Sequence, residues 1–367
     1  VKSVHRDHII SEQVNLSKHK GVSVLIFDQT CAAEKRRRRK RGQMHDPLQR
    51  IMINPDVCEG CGDCSIQSSC VSIEPLETKL GRKRKINQST CNKDYTCLKG
   101  FCPSFVSVDA QLQARTTSHK IDGLPDPKHK VSDGVSNIIL TGIGGTGVLT
   151  VSAITAMAAH YEGKESTILD MTGLAQKGGA VWSHIKIYEK NVKTFSHKIA
   201  PATANLFLAC DAVVGTKPEI QEVLSDKKTY SIINSDTIPV ADFVTNRDLD
   251  FKDDEVLKVI DKTTKDIDIT VPAIKIAENL CGDAIAANIM MLGAAYQLGH
   301  IPLKEESIKY AIKLNGIGIE KNIYSFNLGR LYAFNPKDKI FKFLNSFKEK
   351  EQTTESVLED RLERLAI

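Results

Sequence analysis

Short apolar runs bounded by Gly, Asp, Asn or Pro recur between residues 136 and about 334. They fall at 137–141, 167–170, 181–188, 206–214, 229–234 and 267–271. Most have the character of strands buried on both faces of a parallel sheet. Helix-length segments lie between several of them, at 148–161, 218–224 and 274–280. Strand and helix alternating in this way predict an open α/β sheet. Two further helices are expected, an Ala/Met/Leu-rich one at 284–298, ended by Gly299, and another at 304–314. Upstream the pattern changes. One apolar run, Val22-Ser23-Val24-Leu25-Ile26-Phe27, reads as a short buried strand, too little for a core of its own. Residues 51–109 hold few long apolar runs. Residues 110–134 are polar, and Asp122-Gly123-Leu124-Pro125-Asp126-Pro127 within them is a linker signature. Near the C-terminal end Val357, Leu358, Leu362 and Leu365 share one helical face.

Composition narrows the class. The 367 residues are 41% hydrophobic and 26% charged, ordinary for globular domains, and suit two to three of them. No apolar run reaches the ~18 residues of a membrane span. No basic-then-apolar leader precedes the first element, so a cytoplasmic location is expected. The sequence opens on Val1 inside what reads as an element, and a fragment is the expectation. The net charge is +5, but Lys35-Arg36-Arg37-Arg38-Arg39-Lys40-Arg41 alone carries seven positive charges, leaving the rest at −2. The chain as a whole is not a polyanion binder, although that run in isolation would read as a nucleic-acid patch. Of ten cysteines, seven lie between Cys58 and Cys102. An odd cluster in a leaderless chain of this size points to metal before disulfides.

Cys58-Glu59-Gly60-Cys61-Gly62-Asp63-Cys64 places three thiols two residues apart on a loop relaxed by glycines, a spacing that wraps one face of an iron–sulfur cube. A cysteine followed by proline often completes a cluster begun elsewhere, which makes Cys58, Cys61, Cys64 and Cys102 the set for a first 4Fe–4S cluster. Cys70, Cys91 and Cys97 remain. They suit a second cluster with a non-cysteine ligand, a three-iron cluster, or a partly structural role. Zinc, which prefers two C-x2-C pairs, fits less well. Between the halves, Gly81-Arg82-Lys83-Arg84-Lys85 reads as a solvated turn, or as a docking patch for an acidic electron carrier.

The run 137–141 leads into Gly142-Ile143-Gly144-Gly145-Thr146-Gly147 and then a helix, the strand–G-x-G-x-x-G–helix order of a phosphate-binding loop. Asp170 ends the next strand, where a ribose-binding acid sits in dinucleotide folds. The alternative is that the glycines only pack strand on helix. A second glycine-rich loop, residues 171–180, is expected to face a ligand or a subunit. His184 is read as a packed, hydrogen-bonded histidine, Cys210 and Cys281 as core cysteines, and Met290-Met291 as core; Cys31 is undecided.

Taken together, these segments resemble indolepyruvate:ferredoxin oxidoreductase in its fused long form. The matching stretches are Asp28-Gln29-Thr30-Cys31-Ala32-Ala33-Glu34 with the basic run, the Cys58–Cys64 block, residues 91–94 and 100–106, then 141–150, 170–184 and 288–293. The resemblance implies an α/β fold with a Rossmann-like gamma-type domain and a mostly parallel sheet, preceded by a small ferredoxin-like iron–sulfur domain. The expected organisation is a thiamine diphosphate-domain remnant at 1–50, the 4Fe–4S domain at 51–109, a linker at 110–134, the gamma-type domain at 135–334 and a helical extension at 335–367. Such enzymes oxidatively decarboxylate arylpyruvates, using thiamine diphosphate with Mg2+, coenzyme A as acyl acceptor and ferredoxin as electron acceptor, within an oligomer. The family's gamma-type domain is not an NAD site, so Gly142, Gly144, Gly145 and Gly147 become candidates for coenzyme A phosphates or a subunit contact. The sequence departs from the family in one respect: it lacks the Gly-Asp-Gly…Asn-Asn pattern that holds the metal of thiamine diphosphate. A role in electron relay, and not decarboxylation alone, follows. The competing functions are an iron–sulfur NAD/FAD-linked reductase and a metal-bearing nucleic-acid binder using residues 35–41.

Overall fold

A computed structural model describes residues 2–110, 119–121, 123–130, 134–173, 179–192, 196–237, 246–249 and 253–346. Its N-terminal part holds two helices, α1 (Ile9–Ser17) and α2 (Ala32–Lys40). A small cysteine-rich module follows. Strand β1 (Gln49–Ile53) leads into the first cysteine loop and the short helix α3 (Asp63–Ser68). The hairpin β2 (Ile73–Thr78) and β3 (Gly81–Ile86) comes next, and β4 (Phe105–Asp109) returns to pair antiparallel with β1, Ile53 opposite Phe105. The module's core is small and rich in sulfur: Ile53, Cys58, Cys64 and Ile73, with Cys70, Ile86, Cys97 and Phe105 packed against them.

The larger part is a six-stranded sheet. Its strands are β5 (Val135–Ile143), β6 (Glu165–Met171), β7 (Ala180–Tyr188), β8 (Leu206–Ala209), β9 (Tyr230–Asn234) and β10 (Asp266–Val271), in the order β10-β9-β8-β5-β7-β6. Helix α4 (Val148–Tyr161) follows β5. The short α5 (Ala212–Gly215) and α6 (Pro218–Gln221) follow β8, and α7 (Asp253–Thr263) precedes β10. After β10 come α8 (Ala273–Ile276), a π-helical turn (Ala277–Cys281), α9 (Ala287–Gln297), α10 (Glu305–Asn315) and α11 (Ile319–Phe334).

Strand residues alternate between two cores. Ile138, Leu140, Leu206 and Leu208 face the large core shared with α4 and α8 to α11. Ile139, Phe207, Ala209 and Ile233 face the smaller one, which holds Ile220 and Ile260. Helices on both faces explain the near-continuous apolar runs, because neither side of a strand meets water.

All six anticipated strands are present, two of them with corrections. Residues 181–188 run antiparallel to both β5 and β6. The connection from β6 spans only residues 172–179, shorter than a parallel crossover needs. The run 206–214 stops at Ala209, because Asp211 caps α5 by accepting the Val214 N–H at 2.9 Å. The run 22–27 is not a strand: Val22 and Ile26 are 92% and 78% exposed, and among the described residues no strand pairs with it. Helix α11 was not anticipated. Residues 354–367 lie outside the described residues, as do 174–178 of the second glycine-rich loop. The described part of 110–134 lies against the sheet domain, where the Pro125 carbonyl accepts from Gln297 Nε2 at 2.9 Å and Arg330 Nη2 at 3.2 Å.

Candidate metal centre and glycine loop

The first cysteine loop is shaped by two glycines. Gly60 and Gly62 hold φ of +73° and +82°. A Cβ at Gly60 would stand 2.2 Å from the Arg82 carbonyl oxygen, so the loop lies directly on β3. This seats Cys58 and Cys64 in the core, each 8% exposed, with Cys61 outside. Burial raises the Cys64 thiol above its ordinary range. Cys102 is half-buried, its Sγ 2.9 Å from Ser104 Oγ. The β1–β4 pairing makes its loop leave the same sheet end as the Cys58 loop, and Asn54 N–H ties the two by donating to Ser104 O at 2.8 Å.

Cys70, Cys91 and Cys97 line one cavity, together with Ile51, Ile73 and Ile86. Burial first, then the neighbouring sulfurs of Cys70 and Cys91, pushes the Cys97 thiol up to about 12. Three sulfurs accept a main-chain N–H two residues on, each at 3.4 Å: Gly60 to Cys58, Ser72 to Cys70 and Lys93 to Cys91.

These features fit an iron–sulfur group. The donors are soft thiols, and burial makes ionising Cys64 and Cys97 costly without a cation. Their sulfurs receive N–H bonds of the kind that tune such clusters. The glycine loop leaves no room for side chains on its inner side. Among the described residues no three His, Cys, Asp or Glu side chains stand as a site for one metal ion. A cube distributes its ligands over several irons and asks for a wider ring of sulfurs than one ion does.

The arginines around these loops were not legible as site residues. The basic run forms α2 and turns two of its arginines inward. Arg36 Nη1 donates to Thr90 O at 2.8 Å and Arg39 Nη1 to Asn92 O at 2.6 Å, on either side of Cys91. Lys40 bonds Asp283 at 2.7 Å, and Arg37 and Arg38 pair with Glu34. The run 81–85 is a strand and not a turn. Arg84 is buried, and Arg82 pairs with Glu77 and donates to Leu249 O at 2.6 Å. Lys85 pairs with Glu74, so in this run two of the charges have carboxylate partners and a third, Arg84, is withdrawn from the surface.

The other loop, Gly142–Gly147, joins β5 to α4 as anticipated. A Cβ at Gly142 would meet Val148 Cγ2 at 2.4 Å, so this glycine lets strand and helix close. Gly144 N–H donates to Gly179 O at 2.7 Å, Thr146 N–H to Ile143 O at 3.3 Å, and Asn288 Nδ2 donates to Thr146 O at 3.0 Å. Gly145 and Gly147 hold φ of +85° and +96°. Asp170 accepts from Ser183 Oγ at 2.5 Å and Ser152 Oγ at 3.2 Å, and is turned toward the neighbouring strand β7 and helix α4. His184 is buried and accepts the Ile199 N–H at Nδ1 (3.4 Å); burial, then the Lys198 charge, lowers its pKa to about 4, so it is a neutral packed histidine. Cys210, Cys281, Met290 and Met291 are in the core.

A doubly wound α/β domain joined to a small cysteine-rich module defines the class of protein. Residues 137–332, just over half of the chain, match the family described as pyruvate ferredoxin/flavodoxin oxidoreductase, and the chain belongs to that family. Indolepyruvate oxidoreductase subunit IorB of Archaeoglobus fulgidus is 28% identical over 178 residues, 48% of this chain and 84% of that protein. Ketoisovalerate oxidoreductase subunit VorA of Methanothermobacter marburgensis is 29% identical over 214 residues, 58% of this chain and 39% of that protein. Among solved structures, pyruvate oxidoreductase subunit PORC from Thermotoga maritima aligns with TM-score 0.39 at 22% identity, over 54% of this chain and 96% of that one. Among the described residues no helix is long and apolar enough to cross a membrane.

Proposed function

We propose that this chain is the electron-relay part of a 2-oxoacid:ferredoxin oxidoreductase acting on arylpyruvates such as indolepyruvate. Cys58, Cys61, Cys64 and Cys102 hold one 4Fe–4S cluster, and Cys70, Cys91 and Cys97 contribute to a second centre. The observation that carries this reading is the sulfur-rich core: four cysteines packed together in one small module, beside a domain of this oxidoreductase family. When bound, such clusters supply one-electron storage and transfer. This chain's own residues bury Cys58 and Cys64, donate N–H bonds to three of the sulfurs, and hold the module against the sheet domain. The names of the IorB relatives support indolepyruvate as substrate. Carbon–carbon cleavage is assigned to a thiamine diphosphate site outside this sequence, with coenzyme A taking the acyl group and ferredoxin the electrons. The glycine loop, with amides of Gly144 and Thr146 bonded inward, is read as a subunit contact in preference to a phosphate cradle.

The test is anaerobic reconstitution of the full chain with iron and sulfide. Brown protein with about four irons per complete cluster, bleached by dithionite and giving a reduced-state EPR signal, is expected. Cys58→Ser and Cys70→Ser should each lower iron content, while Cys31→Ser should not. Colourless protein that retains only zinc would reject the reading.

A further inference from the structure

Arg84 is the bulkiest fully buried side chain among the described residues, at 1% exposure. It belongs to a module whose other buried residues are mostly Ile, Cys and Ser. Burying a guanidinium in such surroundings is costly unless charge and hydrogen bonds compensate it. Two of its hydrogen bonds go to neutral main-chain oxygens, Nη1 to Lys83 O at 3.3 Å and Nη2 to Arg247 O at 3.1 Å. Its position is set from the other side by the cysteine loop. A Cβ on buried Gly62, between Cys61 and Cys64, would stand 3.5 Å from Arg84 Nη2 and 3.2 Å from Arg247 Cβ. The guanidinium therefore lies against the backbone that carries the cysteine triplet. Gly60, two residues after Cys58, rests on the Arg82 carbonyl of the same strand, so the loop from Cys58 to Cys64 lies along β3 beside Arg84.

We propose that Arg84 is a positioning residue that acts through the sulfurs of Cys58 and Cys64, raising the reduction potential of the group they hold. The inference rests on the cluster reading of the preceding section. A thiolate-ligated iron–sulfur group gains negative charge on reduction. A fixed cation in a poorly screened interior favours the more negative state. Arginine suits the task because it keeps its charge at any working pH. The Arg247 carbonyl comes from the sheet domain, so seating the module against that domain also seats the cation.

The experiment uses the full chain, reconstituted anaerobically with iron and sulfide, as wild type, Arg84→Gln and Arg84→Lys. Iron and sulfide content, the EPR spectrum and an EPR-monitored redox titration are recorded for each. Arg84→Gln should shift the reduction equilibrium of the first centre about tenfold toward the oxidised form, about 59 mV for one electron. Arg84→Lys should stay within about threefold of wild type, and the signal of the second centre should stay fixed in both. Wild-type protein with no iron and no EPR signal would sink the cluster reading itself. Equal loading with an unchanged or raised potential in Arg84→Gln would overturn the Arg84 proposal alone. A tenfold shift in Arg84→Lys, where charge is kept, would also overturn it. Loss of loading in both variants would make Arg84 a requirement of assembly and overturn it as well.

Discussion

Asn87 Nδ2 stands 2.7 Å from Glu278 Oε1 and 2.8 Å from Glu74 Oε1, so a single amide joins the hairpin of the cysteine module to the π-helical turn of the sheet domain. Ser89 Oγ reaches the same Glu278 oxygen at 3.3 Å. Burial holds the Glu278 carboxyl above its ordinary range against the pull of the Asn87 bond, and the Glu74 charge adds to the effect of burial.

A pH dependence follows. The folded chain keeps the Glu278 proton to higher pH than the unfolded chain does. From the ordinary value of 4.5 up through the raised one, the unfolded state therefore binds fewer protons. This residue's contribution makes stability fall as pH rises across that window and stay level above it. Glu278→Gln keeps an acceptor for Asn87 and removes the titration. Thermal midpoints measured across the window should decline less steeply in the variant. Parallel curves for the two proteins would show that the junction does not sense this proton.

The two glycines at opposite ends of the Arg82 contact separate collision from backbone strain. Gly60 has φ +73° with the Arg82 carbonyl 2.2 Å from an added Cβ, whereas Gly81 has φ +88° with nothing within 4 Å. Left-handed backbone alone costs an alanine about 1–2 kcal/mol. Gly81→Ala should lose about that much in urea unfolding and keep its iron. Gly60→Ala must also move the loop off β3, so it should lose more stability and most of the iron of the first centre. Equal behaviour of the two variants would mean that the loop does not rest on that carbonyl.

Burial on both faces made the strands legible, because it leaves a run of apolar residues whatever the neighbours are. Direction was not legible: nothing in Ala180–Tyr188 itself marks it as antiparallel, and only the short connection before it does. The run 22–27 misled for the converse reason, since an apolar hexamer looks the same with or without a sheet to join. The cysteines could be grouped from spacing, as the chemistry of a cluster constrains their local separation. Arg84 and Arg36 could not be found that way. In sequence they are two cations among several in basic runs, and tertiary contact alone decides which of them is buried against a cysteine loop. Helix α11 was not anticipated; its Gly329 and Arg330, residue types that do not mark a buried helix face, are both buried at its contacts.

The basic helix gives a prediction that distinguishes it from a nucleic-acid patch. Arg36 and Arg39 donate to the carbonyls of Thr90 and Asn92, and each such bond contributes about 1 kcal/mol net. Replacing both with Gln should speed amide exchange at 90–93, leave the sheet domain's protection unchanged, and reduce iron in the second centre. Unaltered exchange at 90–93, with lost polyanion retention as the only effect, would assign the run to solvent instead.

Gly293 on α9 and Gly329 on α11 face each other's helix. An added Cβ would stand 2.0 Å from Phe326 O at the first and 1.9 Å from Met290 O at the second. The two helices therefore cross with their backbones nearly touching, and Met290 and Phe326 are fully buried there. The sign of a substitution tests this contact. In an open helix interior, Gly→Ala stabilises by about 0.8–1 kcal/mol. At this crossing it must separate two backbones or distort them, and an overpacked core typically loses about 1–3 kcal/mol or more. Gly293→Ala and Gly329→Ala should each lower the urea midpoint. The double variant should cost less than the sum of the two, because one separation of the helices relieves both collisions. A neutral or stabilising Gly329→Ala would place α11 farther from α9 than this crossing allows.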